Sequence, residues 1–143
     1  MLIIVSCLLF FVTALALMVL LITQPNARYA WLVAVGGGTL ALVSVFIWLA
    51  QMPFDLALPA WKPLTLFLNP ISFRADGLSW PFAVSISALT LTILLTVVSQ
   101  PAFTNSYTWA GTLALGGLGI LAVTANNPLT LLLIWSALDI TEL

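Results

Sequence analysis

The chain has 143 residues, of which 63% are hydrophobic and 5% are charged, with three Lys or Arg residues, four Asp or Glu residues and no His. A soluble domain usually carries about 25% charged residues, so this composition excludes a water-soluble globular domain and indicates a protein that lies in the lipid bilayer.

The absence of His and the single cysteine, Cys7, exclude imidazole acid–base catalysis, an internal disulfide and a multi-cysteine metal cluster. Three basic residues cannot form a nucleic-acid surface. We therefore expect no nucleic acid, soluble substrate, metal or cofactor bound by identifiable residues, and lipid is the one ligand left open.

The first two predicted spans occupy residues 2–23 and 29–51, since a membrane helix needs about 20 mostly apolar residues. No basic residue precedes the first span and no small-x-small cleavage site follows it, which favours a retained helix over a signal peptide. The second span contains Gly36-Gly37-Gly38. Because no P-loop lysine follows, we interpret this triplet as small residues that allow close contact between helices.

Residues 52–80 hold four of the eight prolines and four of the seven charged side chains, which predicts an extramembrane loop. Within this loop, residues 64–68 and 71–74 are two short β-prone runs, and the turn-forming pair Asn69-Pro70 separates them. We expect these runs to form a small hairpin on the membrane surface.

Three further helices are predicted at residues 81–100, 108–125 and 128–143. The first of them starts at Pro81, where the missing N–H costs nothing. The next carries a cluster of glycines, which predicts close packing against a neighbour: Gly116, Gly117 and Gly119. The predicted fold is therefore an all-α integral membrane protein, a single domain over 1–143 with four full spans and a short fifth helix.

The orientation of these spans rests on Arg28, the one basic residue in a short loop. The positive-inside rule places that loop in the cytoplasm, so the N-terminus and the loop 52–80 are expected outside. We interpret aromatic residues near the ends of the spans, among them Trp48, Trp80 and Trp109, as anchors at the membrane interface.

Two segments carry a resemblance to a known family: ISFRADGLSW at 71–80 and LAVTANNPLTLLLIW at 121–135. The first is similar to the entry into the third helix, and the second to the corner between the fourth and fifth helices, in antiporter-like subunits of respiratory complex I and multi-subunit cation/proton antiporters. The order and spacing of the segments also match. The resemblance covers 71–143, extends to the first 70 residues only in hydropathy, and implies an energy-transducing membrane, bacterial or organellar, with the N-terminus outside.

In the family that the chain resembles, a glutamate follows the tryptophan, pairs with a lysine on a later helix and takes part in proton movement. Here Ser136 occupies that position, and Asp139 and Glu142 are the nearby carboxylates, which makes them candidates for a proton path. A carboxylate at membrane depth costs about 2.5–3.5 kcal/mol, so it should be paired, protonated or close to water. The alternative is that both residues mark the frayed, water-facing end of the last helix.

The other motif, at the entry to the third span, comprises Arg74, Asp76, Gly77 and Ser79. Arg74 and Asp76 either line an ion entrance, or Asp76 caps the third helix while Arg74 pairs with Asp76 or with a lipid headgroup. We favour the capping interpretation.

These observations predict a membrane subunit that does not pump ions alone. Family members that pump carry buried lysines on helices after the fifth, and this sequence has no Lys or Arg in its apolar runs. We expect a split or truncated N-terminal part of such a subunit, which assembles with other integral membrane subunits in a larger redox or ion-translocating complex such as NADH:quinone oxidoreductase. The alternative is a purely structural accessory subunit of a respiratory or photosynthetic complex, with no ion path. We expect no independent enzymatic activity.

Overall fold

The computed structural model of the protein describes residues 2–24, 29–51, 53–58, 70–99 and 107–142. Within these ranges the chain is mostly helical, with five helices: α1 (Leu2–Thr23), α2 (Ala30–Trp48), α3 (Ser79–Ser99), α4 (Tyr107–Thr124) and α5 (Pro128–Glu142). A 3₁₀ turn, Leu49–Gln51, follows α2. By length and composition, α1 to α4 are each able to cross a membrane, which confirms the prediction of four long apolar helices followed by a shorter one.

A small hairpin lies between α2 and α3, formed by β1 (Phe54–Ala57) and β2 (Ser72–Ala75). The strands are antiparallel, with Phe54 opposite Ala75 and Ala57 opposite Ser72. The β-prone run at 71–74 therefore forms a strand, but its partner β1 was not predicted, and the run at 64–68 lies outside the described residues. The sequence signal for β1 is the Phe-Asp-Leu-Ala alternation, which places Phe54 and Leu56 on the less exposed side.

The four long helices form a ring in which each contacts the next and α4 returns to contact α1. Neighbouring helices are antiparallel, as contacts at their ends show. The Ser6 hydroxyl at the start of α1 and the Ser44 hydroxyl near the end of α2 are joined by a 2.8 Å hydrogen bond. The fifth helix lies outside the ring and packs chiefly on α4. We call the end of the ring that carries the hairpin the hairpin end.

Small residues bring these helices close together. A Cβ atom added to Gly37 of α2 would collide with the Thr13 side chain of α1, and one added to Gly116 of α4 would lie 2.7 Å from the Thr90 hydroxyl of α3. At Gly117 the added atom would lie 3.1 Å from Cβ of Phe10, a fully buried residue. The close packing predicted from the glycine clusters is confirmed at these positions, whereas Gly36 has open space around it.

Two of the predicted aromatic anchors instead contribute to packing within the bundle. Trp48 is 1% exposed, so it belongs to the core and not to the lipid interface. The Trp80 indole donates a 3.0 Å hydrogen bond to the Val45 carbonyl and contacts Phe46 edge-on. This indole satisfies a carbonyl near the end of α2 and fixes the position at which α3 begins against α2.

Replacing Gly37 by alanine is expected to destabilise the bundle by about 1–3 kcal/mol, because the new methyl group overpacks the contact with Thr13. Gly36→Ala is the matched control. Its methyl group enters open space and improves helix propensity, so stability should stay equal or rise slightly. Cys7 is buried and is the only cysteine, so its rate of labelling by a thiol-reactive dye during heating in detergent reports unfolding. Equal midpoints for the two variants would contradict this account of the α1–α2 contact.

Candidate functional site

The polar residues of the entry motif and of the Asn-Asn-Pro corner meet at the hairpin end. Three parts lie there: the hairpin, the entry turn (residues 76–79) that leads into α3, and the corner between α4 and α5 (residues 125–127). The corner touches the hairpin through an antiparallel bridge between Phe73 and Ala125. The two segments that resemble the antiporter-like family are therefore in direct contact, although forty residues lie between them in sequence.

Asn127 caps the fifth helix. Its Oδ1 atom accepts hydrogen bonds of 2.7 Å from both the backbone N–H and the hydroxyl of Thr130. The Leu131 N–H donates to the Asn127 carbonyl at 3.1 Å, which is the first helical hydrogen bond. Pro128 occupies the first helical position, where its lack of an N–H costs nothing. The Asn-Pro-x-Thr sequence thus starts α5 without leaving these backbone donors unpaired.

The same asparagine side chain also holds the hairpin. Its Nδ2 atom donates to the Pro70 carbonyl at 2.6 Å and to the Ser72 hydroxyl at 3.0 Å. The Ser72 N–H donates to the Thr130 hydroxyl at 3.1 Å, and the Asn126 N–H donates to the Ser72 carbonyl at 3.0 Å. One amide group therefore caps a helix with its oxygen and fixes a strand with its nitrogen. The corner was predicted from the sequence, but this link to the hairpin was not. Thr130, three residues after Asn127, is the sequence signal for the cap alone.

Asp76 caps α3 in the entry turn. Its Oδ1 atom accepts from the N–H of Leu78 at 3.1 Å and of Ser79 at 2.9 Å. The Asp76 N–H donates to the Ser79 hydroxyl at 2.9 Å, which gives a reciprocal cap. The hydrogen bond from the Ser79 N–H is the main cause that holds the pKa of Asp76 below its ordinary value, and the positive charge of Arg74 contributes less. Gly77 is exposed, with no heavy atom near the place a Cβ would take.

Arg74 forms an ion pair with Asp55, a partner that was not predicted from the sequence. Its Nε atom lies 3.6 Å from Oδ1 of Asp55, directly across the hairpin, and it does not pair with Asp76. Both side chains are more than half exposed. Because water and ions screen such a pair, it adds little stability, about 0–1 kcal/mol.

The proton-path candidates lie elsewhere, on α5. Asp139 and Glu142 are both exposed, as is Ser136, whose hydroxyl donates to the Leu132 carbonyl at 3.0 Å. Asp139 lies about 16 Å along the helix axis from Pro128, at 1.5 Å per residue. The structure therefore does not bring these carboxylates to the entry turn. Their role as a proton path, or as the water-facing end of the helix, stays a prediction.

No protein-family model matches this chain, and a search of curated proteins found no significant relative.

Replacing Asn127 by alanine is expected to lower the free energy of unfolding by about 1–2 kcal/mol from the lost helix cap alone, with a further loss from the unpaired groups of the hairpin. Asn126→Ala is the matched control, because Asn126 contacts the hairpin through its backbone N–H, which alanine retains. Thermal labelling of Cys7 in detergent measures both variants. If Asn126→Ala cost as much stability as Asn127→Ala, the role given to the Asn127 amide would be wrong.

The cap of α3 should make stability depend on pH in the acid range. Because the pKa of Asp76 is lower in the folded chain than in the unfolded chain, its contribution is complete above about pH 4 and disappears as the pH falls through the folded-state pKa. Asp76→Asn keeps an acceptor for the cap but cannot titrate. A comparison of melting temperatures between pH 6 and about pH 3 should show a smaller acid loss for Asp76→Asn than for the wild type; parallel curves would refute the assignment.

Proposed function

We propose that this chain is a membrane subunit equivalent to the N-terminal helices of an antiporter-like subunit of the complex I and cation/proton antiporter type, and that it works in contact with other integral membrane subunits. The observation that carries this proposal is the position of Asp139 on the side of α5 that faces away from the bundle. Leu132, Ser136 and Asp139, which we call the outer face of α5, are all exposed.

Helical geometry explains why these three side chains share one side. Their spacing of four and three residues places them in a row along the helix. The buried residues of α5, Thr130 and Ile134, lie on the opposite side, toward α4. Asp139 is thus presented to whatever lies beside this chain in the membrane.

A charged carboxylate in hydrocarbon costs about 2.5–3.5 kcal/mol or more unless it finds a partner, a proton or water. The described helices contain no Lys or Arg. Within the described part of the chain, Arg74 is the one basic residue, and it lies in the hairpin. A basic or hydrogen-bonding group on a neighbouring subunit would remove this cost, which favours a chain that functions inside an assembly.

The contact between the two resembling segments supports the same proposal. Ser72 belongs to the first segment, while Asn127 and Thr130 belong to the second, and hydrogen bonds join all three. Two segments that resemble separate motifs of one family are thus joined by hydrogen bonds in this chain. A chance resemblance of either segment alone would not predict that the two segments are in contact.

The proposed location is an energy-transducing membrane, bacterial or organellar inner, with the hairpin end outside. Four apolar helices support membrane insertion. The orientation follows from Arg28, which lies outside the described residues, through the positive-inside rule.

The test is to isolate the chain in mild detergent from its native membranes, identify its neighbours, and compare Asp139→Asn with Glu142→Gln. We expect copurified integral membrane subunits with a Lys or Arg inside a span. Asp139→Asn should leave that assembly intact and reduce proton movement in membrane vesicles about tenfold, which corresponds to about 1.4 kcal/mol. Glu142→Gln, one turn further along α5, should have a smaller effect.

Two results would contradict the proposal. A chain that is isolated as a stable monomer without other membrane subunits would exclude the assembly. An intact complex with unchanged proton movement in Asp139→Asn would favour the alternative, a structural accessory subunit with no ion path.

A further inference from the structure

A cleft of about 380 Å³ opens beside the entry turn, between the start of α3 and the end of α4. Its lining has a polar part and an apolar part. The polar part is formed by Arg74, Asp76 and Asn126, and the apolar part by Leu78, Phe82 and Val123. This cleft is separate from the outer face of α5 and has no part in the role proposed for Asp139.

The polar part holds one group of each charge with unused hydrogen-bonding capacity. Arg74 meets Asp55 through Nε at the long distance of 3.6 Å. In the Asp76 carboxylate, Oδ1 accepts the two N–H groups of the cap. A carboxylate offers about four acceptor sites, so it can accept a further donor beside the cap and the Ser79 side chain. A guanidinium group binds phosphate well, and a carboxylate oxygen binds an ammonium group. The pair therefore suits a zwitterion better than a simple anion, which Asp76 would repel.

The apolar part extends from this pair along the side of the bundle. Leu78 is 72% exposed and Phe82, one turn further along α3, is 56% exposed. Both side chains line the cleft, as does Val123 near the end of α4. The charged residues are thus followed by apolar side chains of the cleft. A phospholipid at the membrane interface has the same order, a charged headgroup followed by acyl chains.

We propose that this cleft binds a phospholipid whose headgroup carries a primary ammonium. The phosphate accepts hydrogen bonds from Arg74, the ammonium donates to the Asp76 carboxylate, and an acyl chain lies along Leu78 and Phe82. A choline headgroup has no N–H to donate, and a glycerol headgroup has no positive charge to meet Asp76. The cleft should therefore distinguish lipids by the headgroup nitrogen. This inference rests on the membrane insertion included in the proposed function.

The test uses the full chain, purified in detergent and mixed with equal amounts of phosphatidylethanolamine, phosphatidylcholine and phosphatidylglycerol that have the same acyl chains. Retained lipids are counted by native mass spectrometry. We expect phosphatidylethanolamine to be retained about fivefold or more over the other two, the effect of one additional charge-assisted hydrogen bond.

Three variants assign the contacts. Arg74→Gln should reduce retention of phosphatidylethanolamine about tenfold, because the phosphate loses its charged donor. Asp76→Asn keeps an acceptor for the cap of α3 but should abolish the preference for phosphatidylethanolamine over phosphatidylglycerol. Asp55→Asn is the matched control, since Asp55 pairs with Arg74 but does not line the cleft, and its retention should equal or exceed that of the wild type.

Equal retention of the three lipids by the wild type, or unchanged retention by Arg74→Gln, would overturn the proposal. Displacement of the lipid by an equal concentration of soluble phosphoethanolamine would also overturn it, because the free headgroup would then be the ligand. Extraction of the chain from membranes by alkaline carbonate would contradict membrane insertion itself. A chain that resists carbonate but shows no lipid preference would refute the cleft assignment alone.

Discussion

The hydrogen bonds of the Asn127 side chain are the interaction on which the hairpin end depends. Its oxygen caps α5, and its nitrogen binds Pro70 and Ser72 of the hairpin segment. The first N–H groups of a helix have no acceptor within the helix, and one primary amide supplies both the acceptor and the donors that this junction needs. The junction joins β2 to the start of α5, and the neighbouring residue Asn126 lines the cleft beside the entry turn.

Below this junction, small residues set how closely the helices pack. The contact of Gly37 with Thr13 and the contacts of Gly116 and Gly117 with Thr90 and Phe10 place the helix backbones close together. The fifth helix is held differently. It has a fixed start at Asn127 and one buried stripe against α4, so its outer face, with Asp139, remains available to a neighbour.

Much of the fold was predictable because hydropathy and helix-breaking residues define the spans closely. The predicted helix starts at residue 81, two residues after the observed start of α3 at Ser79, because the cap by Asp76 starts the helix before Pro81. The strand β1 was missed because four alternating residues give a weak signal. The partners of Arg74 and Asn127 could not be predicted, since they depend on which loop folds back onto which corner. Trp48 was misassigned because hydropathy places a tryptophan near the end of a span but does not indicate whether it faces lipid or a helix.

The closed ring has a consequence for biogenesis. Ser72 is synthesised 55 residues before Asn127, to which it binds, and α1 contacts α4 across two intervening helices. The ribosome therefore synthesises α1, α2 and the hairpin before all of their final partners exist. Neither the hairpin nor the first helix can reach its final contacts until the corner after α4 has emerged.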